Sequence, residues 1–380
     1  MNGKCKMKVI FCKICIMSNL KPNIKIDSTG ICSACKNHLI KNKIISSSER
    51  KILQSHFEKI IKNNSSKKNK YDVVVAVSGG KDSIYQIVQL KKFTKKILAV
   101  CVDFGLRTDV GEHNLQLIQN VLDVDLIKFS LKKNIIKKLA LYSLEKHGDP
   151  DLFNHPLIYN IPPIVAKNFG VKIVIYGEDP RIEYSNTKLK NINTLVNQKF
   201  DKKYFENFVS HSKINLNKIL KTLKIPISDR KYFTYQKKLE NLKIIFLGNF
   251  FIWDSINNYK IAKKIGFREN LKSEGTYRKF VNVDEDWNRI HHYLKMLKFG
   301  YGRCSDHAAE DIRKGYLSRI KAVKLVNKFD TQKLSSYYKS RICKYLDISE
   351  KRLLKAFEKF RNKKIWKKNK NDWILKTPLR

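Results

Sequence analysis

The apolar positions of this chain alternate between two patterns. Short apolar runs recur at Tyr71-Asp72-Val73-Val74-Val75-Ala76-Val77, Ile97 to Val102, Val124 to Phe129, Val171 to Tyr176 and Ile244 to Leu247. Each is short enough to predict a strand, buried at 71–77 and at Val171 to Tyr176. Between them, Ile84-Tyr85-Gln86-Ile87-Val88-Gln89-Leu90 and Asn114 to Leu122 carry helical spacing. Ahead of the first strand, Ile52, Phe57, Ile60 and Ile61 predict a helix over 46–62. Strands alternating with helices imply an α/β fold with a doubly wound, mostly parallel sheet covered on both faces. Such sheets bind ligands beyond the carboxyl ends of their strands. The segments at those ends are Asp103-Phe104-Gly105, Gly177-Glu178-Asp179-Pro180 and Gly248-Asn249. Pro156 and Pro162-Pro163 punctuate the helices that precede the fourth strand.

Beyond Gly266 the pattern becomes mainly helical. Trp287, Ile290, Leu294 and Leu297 form one apolar stripe, with His292 on the opposite face and His291 at its border. Phe299-Gly300-Tyr301-Gly302-Arg303 breaks that helix. Ser305-Asp306-His307 then reads as a helix start, its Ser and Asp as an N-cap, and Asp254 after Trp253 reads as another cap. The last thirty residues are basic and carry Trp366 and Trp373, which predicts a terminal helix or a docking surface. The chain contains no internal repeat. Residues 1–45 read as a metal-binding knuckle, 46–70 as a helical linker, 71–265 as a nucleotide-binding domain and 266–380 as a helical substrate or partner region.

One loop carries most of the candidate chemistry. Ser78-Gly79-Gly80-Lys81-Asp82-Ser83 joins the first strand to the next helix. Two glycines let backbone approach an anion. Successive N–H groups form a positive nest, and the helix N-terminus adds about half a positive charge. Lys81 can neutralise phosphate, and Asp82 can hold magnesium. The spacing differs from G-x-x-x-x-G-K-[ST]. It resembles the PP-loop of ATP pyrophosphatases, which split ATP between its α- and β-phosphates.

The eight cysteines are informative by position. Cys12-x-x-Cys15 and Cys32-x-x-Cys35 have the spacing of a four-thiolate structural zinc site, which leaves no open coordination position. Cys5 reads as free, Cys101 as core, and Cys304 and Cys343 stay unassigned.

Composition narrows the picture little. Lys+Arg 78 against Asp+Glu 34 gives a net charge of +44, which attracts anions and keeps an RNA partner in view. The excess is mostly Lys, spread along an Ile- and Asn-rich chain, and compositional drift yields the same mixture. No apolar run reaches the length of a membrane span, and no secretory signal is recognisable, so the expected location is the cytoplasm.

These marks together resemble the N-acetyl sugar amidotransferases of bacterial surface-polysaccharide biosynthesis, within the PP-loop superfamily. They are the cysteine pairs, SGGKDS at 78–83, Asp103-Phe104-Gly105, Gly177-Glu178-Asp179-Pro180 with Glu183-Tyr184, and Gly248 with Trp253-Asp254. The most diagnostic part runs from His291-His292-Tyr293 through Lys298-Phe299-Gly300-Tyr301-Gly302-Arg303 to Asp311-Ile312-Arg313-Lys314-Gly315.

The resemblance implies an ATP-dependent, AMP-forming conversion of an acetamido group to an acetamidino group on an N-acetyl sugar, expected to be nucleotide-linked, in LPS, O-antigen or other surface-glycan synthesis. Ammonia would come from a glutaminase subunit with a cyclase-like partner. This chain shows no glutaminase nucleophile motif of its own. The implied cofactors are ATP, Mg2+ and structural Zn2+.

The expected roles follow. Lys81, Asp82 and Glu178 are catalytic. Ser78, Gly79, Gly80 and Ser83 cradle pyrophosphate, and Asp103 and Gly105 meet adenosine. Glu183, His291 and Arg303 meet the sugar, and an exposed or half-buried histidine explains His291 about as well. An ordinary loop carboxylate explains Glu183 nearly as well, and a solvated arginine explains Arg303 equally well. The family tends to read Gly-Glu-Asn-Pro where this chain has Asp179, a change that bears on which sugar is used. The alternative is a PP-loop tRNA-modifying enzyme of thiolation or lysidine type. Thiolation relatives carry a second C-x-x-C after the loop, which is missing here. Neither nucleic acid nor a membrane is the expected partner.

Overall fold

In the computed structural model, residues 8–44, 47–179, 196, 198–208, 214–370 and 372–379 are described. Helices α1 (Ser33–Ile44) and α2 (Ser47–Asn64) come first. There follow β1 (Val73–Val77), α3 (Lys81–Leu90), β2 (Ile97–Val102), α4 (Asp109–Asn120), β3 (Asp125–Phe129), α5 (Lys133–His147), α6 (Asn154–Asn168) and β4 (Ile173–Tyr176). Then come α7 (Lys202–Phe208), α8 (Leu216–Thr222), β5 (Lys243–Phe246) and α9 (Ser255–Lys264). The C-terminal part holds α10 (Trp287–Phe299), α11 (Arg303–Arg313), α12 (Arg319–Phe329), α13 (Ser336–Leu346), α14 (Glu350–Phe360) and a hairpin, β6 (Trp366–Asn369) with β7 (Asp372–Leu375).

The five strands of the main sheet lie in the order β3-β2-β1-β4-β5 and pair in parallel. Val75 of β1 lies opposite Ala99 on one side and Ile175 on the other. The side-chain period of two sends alternate residues to opposite faces. Val74, Leu98, Val100 and Val174 pack with α5, α6, α10, α13 and α14. Val73, Val75, Ile97, Ala99 and Ile175 pack with α2, α3, α4 and α9. Burial on both faces explains why these strands read as unbroken apolar runs. Chain order reverses between β1 and β4, so the crevice at their carboxyl ends is the switch point where ligands bind. The loop after β1 opens there.

Three local expectations need correction. Pro162 and Pro163 sit inside α6, which runs through them without a break. The residues after Gly266 do not turn helical until Trp287; the stretch between forms an irregular segment that crosses the site. The chain ends in the β6–β7 hairpin, not a helix. Trp366 is buried there and donates its indole N–H to the Leu297 carbonyl at 3.0 Å, which anchors the hairpin under α10. Among the described residues, no helix is long and apolar enough to cross a membrane.

Candidate functional site

The loop after β1 is held from several directions. Ser83 Oγ accepts the Ser78 N–H at 2.8 Å, and Ser78 Oγ accepts the Gly80 N–H at 3.3 Å. Gly79 has φ +91, and a Cβ there would stand 2.6 Å from the Gly111 carbonyl oxygen, so only glycine fits. Gly80 has room, since its Cβ would meet nothing closer than Ser78 Oγ at 3.4 Å. Its lack of a side chain keeps the backbone open to a ligand. Lys81 begins α3, is nearly buried, and donates to Asp82 Oδ2 at 2.6 Å, while Asn258 donates to Asp82 Oδ1 at 2.8 Å.

Two cavities flank this loop. The larger has a volume of about 340 Å³ and lies over the ends of β1, β2 and β4. Ser78, Ser83, Val102, Phe104, Tyr159 and Tyr176 contribute to its wall. Among the described residues its charged lining is acidic: Asp82, Asp151, Glu178, Asp284 and Glu285. Burial, then the neighbouring Asp284, raises the Glu285 carboxyl well above its usual range despite Arg107 nearby. The second cavity shares Asp82, Glu178 and Trp253 with the first. Lys81, Arg303 and Lys314 line it, with Met17 and Lys21 from the cysteine knuckle. Trp253 sits so close to Gly177 that a Cβ there would lie 2.7 Å from its ring.

The expected site residues thus separate. Ser78, Lys81, Asp82, Ser83, Glu178 and Arg303 border these cavities. Asp103 and Gly105 do not. Asp103 is tied to Lys128 at 3.3 Å and caps the Gly105 N–H at 2.8 Å, while Gly105 backs onto Tyr345. His291 also borders neither; it pairs with Asp149 at 2.8 Å. Burial alone would lower its pKa, but Asp149 outweighs that and raises it. Glu183 lies outside the described residues.

The N-cap reading of Asp306 is corrected as well. Helix α11 starts at Arg303, and its first amides are capped from afar by Asp330, which accepts from Gly302 N at 2.8 Å and Cys304 N at 2.9 Å. Asp306 instead accepts from Lys21 at 2.8 Å and Lys295 at 2.5 Å. The Asp254 cap is present: it accepts the Asn257 N–H at 2.7 Å.

Several site residues left no trace in the sequence pattern. Arg107 is buried and donates to the Ser78 carbonyl at 2.6 Å, pinning the loop from below. The irregular segment before α10 delivers Arg278, Asp284 and Glu285. Arg278 bridges Glu310 at 2.9 Å and Asp311 at 2.5 Å. His307 is buried in the wall of the second cavity. Each depends on contacts across more than twenty residues, which periodicity does not encode.

At the N-terminus, Cys12, Cys15, Cys32 and Cys35 bring their sulfurs within 4.8 Å of one another. Cys12 and Cys35 are 3.9 Å apart, and Cys15 and Cys32 are 3.7 Å apart. A tetrahedron of thiolates at about 2.3 Å from one ion has edges of about 3.8 Å. Backbone N–H groups of Cys32 and Met17 point at Cys12 and Cys15 sulfur, as thiolate ligands require. The four residues therefore fit a single metal ion.

A parallel sheet of this strand order with SGGKDS at its switch point is an α/β fold carrying a loop that resembles the PP-loop. Residues 274–380 match the family described as LPS biosynthesis protein WbpG-like, C-terminal domain. The His291 to Gly315 stretch behind the amidotransferase resemblance lies wholly inside this match. No curated protein matches the chain. Among solved structures, NMN synthetase from Francisella tularensis is 12% identical, with 78% of this chain and 93% of that chain covered and a TM-score of 0.32. The U34-tRNA thiolase NcsA from Methanococcus maripaludis with its [4Fe-4S] cluster is 13% identical, with 89% and 96% covered and a TM-score of 0.30.

Proposed function

We propose that this protein is an ATP-dependent, AMP-forming amidotransferase that converts the acetamido group of an N-acetyl sugar to an acetamidino group in surface-glycan synthesis. One observation carries the reading: helix α11, within the segment matching an LPS-biosynthesis domain, lines the same cavity as Lys81 and Asp82 of the SGGKDS loop. A family-specific helix facing the nucleotide loop is where a family-specific substrate would meet ATP.

The chemistry follows from the groups present. An amide oxygen leaves poorly. Adenylation makes it a phosphate ester, which departs as AMP when ammonia attacks the carbon. The amide oxygen attacks the α-phosphorus, and the bond to the bridging oxygen breaks as pyrophosphate leaves. Lys81 offsets charge on the departing group, an interaction typically worth about 3 kcal/mol in such sites. Magnesium favours one or two carboxylates together with substrate phosphates, and Asp82 and Glu178 on the shared wall offer that pair. When bound, it would screen phosphate charge. Arg107 holds the loop in place by its bond to Ser78. Ammonia is assigned to a glutaminase with a cyclase-like subunit. Zinc is the ion assigned to the cysteines: four sulfurs this close converge on one centre, whereas a four-iron cluster spreads its thiolates over separate irons.

The test combines protein, ATP, magnesium, an N-acetyl sugar nucleotide and ammonium chloride. AMP, pyrophosphate and a product one mass unit lighter than the acetamido sugar are expected. ADP and phosphate would refute adenylation. The net charge of +44 favours a second reading, a PP-loop enzyme acting on tRNA. That reading predicts AMP release on adding tRNA and a modified base in the recovered RNA.

A further inference from the structure

His291 belongs to the stretch that carries the family resemblance, yet it borders neither cavity. Its contacts show what it holds instead. A carboxylate only accepts, so His291 Nδ1 donates to Asp149 Oδ1, at 2.8 Å. The same oxygen accepts the Asp151 backbone N–H at 3.1 Å. Asp149 follows Gly148, the left-handed cap of α5, so residues 149–151 turn between α5 and α6. A histidine on α10 thus fixes, through one carboxylate, the backbone of a second. That second carboxylate, Asp151, lines the larger cavity.

Asp151 is placed for proton chemistry. Its Oδ1 accepts the Asn154 side-chain N–H at 2.5 Å, while Oδ2 stands 3.7 Å from His155 Nε2, beyond hydrogen-bond reach. One oxygen is therefore left for a ligand. The neighbouring carboxylates have other engagements. Asp82 holds Lys81 and Asn258, and Glu285 faces Arg107 at 3.6 Å. Asp284 takes a bond from Asn288 at 3.1 Å and turns its Oδ2 towards Gly80 of the loop. Glu178 is assigned to magnesium. No Lys, Arg or His lines this cavity among the described residues, so its field favours a group that becomes positive. His291 senses Asp149, Asp151 and Lys295; Asp149 also senses Lys298 and His155; Asp151 senses His155, and Glu285 senses Asp151. Burial raises the Asp151 carboxyl above its usual range, with Asp149 adding to this and His155 and His291 opposing it. A raised carboxyl is the better base near neutral pH.

We propose that Asp151 is the proton acceptor when ammonia attacks the adenylated amide, and that His291 is its positioning residue, acting through Asp149. The inference rests on the amidation reading. The lone pair of ammonia forms the C–N bond at the adenylated carbon, and the added nitrogen becomes positive. Asp151 takes one proton from that nitrogen. The C–O bond then breaks, its electron pair leaves with AMP, and the lone pair of the sugar nitrogen completes the amidinium product. The proton on Asp151 passes to solvent.

The test uses the full-length protein with ATP, magnesium and an N-acetyl sugar nucleotide, and reads two steps. Sugar-dependent exchange of labelled pyrophosphate into ATP, without ammonium, reports adenylation. Amidine formation with ammonium chloride reports the attack. Asp151→Asn keeps the acceptor for Asn154; its exchange should stay within about twofold of the parent while amidine formation falls about a hundredfold. His291→Ala should lower amidine formation about tenfold at the pH optimum. His291→Asn keeps a donor where Nδ1 stands and should recover that plateau. In both His291 variants the acid limb of the pH profile, expressed per free ammonia, should move to higher pH, because losing a positive neighbour raises the Asp151 carboxyl. A merely structural role for His291 would leave the limb in place. Normal amidine formation by Asp151→Asn, an equal loss of exchange and amidine, or an unmoved acid limb in His291→Ala would overturn the proposal and leave the amidation reading standing. Wild-type protein without sugar-dependent exchange would overturn both.

Discussion

Gly79 and Gly80 are neighbours with opposite requirements. Gly79 has a left-handed backbone and faces the Gly111 carbonyl, so Gly79→Ala should cost about 1–3 kcal/mol in urea denaturation. Gly80 is extended at φ -77 and has space around it, so Gly80→Ala should unfold at the wild-type midpoint. It should nonetheless weaken ATP by about tenfold, because the added methyl stands where phosphate approaches the backbone. Equal ATP affinity in Gly80→Ala would remove the loop from phosphate binding. Asp82 gives a second contrast. Its carboxylate is half-exposed and bonded to Lys81 and Asn258, so Asp82→Ala should keep the circular dichroism spectrum and thermal midpoint of the parent. AMP formation should fall by about a hundredfold or more. Wild-type turnover would exclude Asp82 from the chemistry. The hexapeptide was legible in the sequence because its residues act on their own backbone. Arg107 was not, since its value comes from reaching Ser78 across 29 positions.

At the scale of elements, α11 depends on distant partners at both ends. Asp330 caps its start, and Arg278 reaches Glu310 and Asp311 near its end. Burial would raise the Glu310 carboxyl, but Arg278 and Lys314 overcome that and lower it from 4.5 to about 2. A depressed acid stabilises the fold above its unfolded pKa and loses that contribution as pH falls through the folded value. The stability gap between wild type and Glu310→Gln should therefore be constant from pH 8 to 5, at about 1–3 kcal/mol, and shrink steadily from about pH 4.5 to 2. A gap independent of pH would show that the ion pairs do not matter. The same helix explains an error of reading. Ser305-Asp306 has the local chemistry of a cap, but Asp330 already satisfies those amides from the end of α12, which frees Asp306 to hold Lys21 and Lys295. Strands β1, β2 and β4 were readable because burial on both faces writes an unbroken apolar run, whereas β3 lies at the sheet edge with Asp125 and Lys128 exposed. Helix α6 passed through a proline pair that local rules treat as a stop. Its face packs Leu157, Ile161 and Val165 into the core beneath the sheet, and that packing outweighs the local cost.

Across the whole molecule, the two ends of the chain share one core. Cys12, Ile16, Met17, Ile24 and Cys35 of the knuckle pack in a single apolar cluster with Tyr301, with Cys304, Ala308 and Ala309 of α11, with Ala322 and Val326 of α12, and with Leu379. The parallel sheet belongs to two other clusters. Nothing in the cysteine spacing reveals this, because spacing speaks only of the metal and not of what the folded knuckle leans on. The arrangement has a thermodynamic consequence. Metal binding to such a knuckle is folding free energy for whatever packs against it. Removing the ion with a strong chelator should release the knuckle and then loosen α11 and α12, while β1, β2 and β4 keep their protection. Hydrogen exchange followed by mass spectrometry reads this directly. Amides of 303–313 and 319–329 should exchange at least about tenfold faster after chelation, and those of 73–77 and 97–102 should be unchanged. Cys32→Ser should reproduce the pattern without chelator. Uniform deprotection would mean that the metal supports the entire fold, and deprotection confined to 12–35 would mean that the shared core is not cooperative. Either result would separate the knuckle from the cavity wall that Lys21 helps to build.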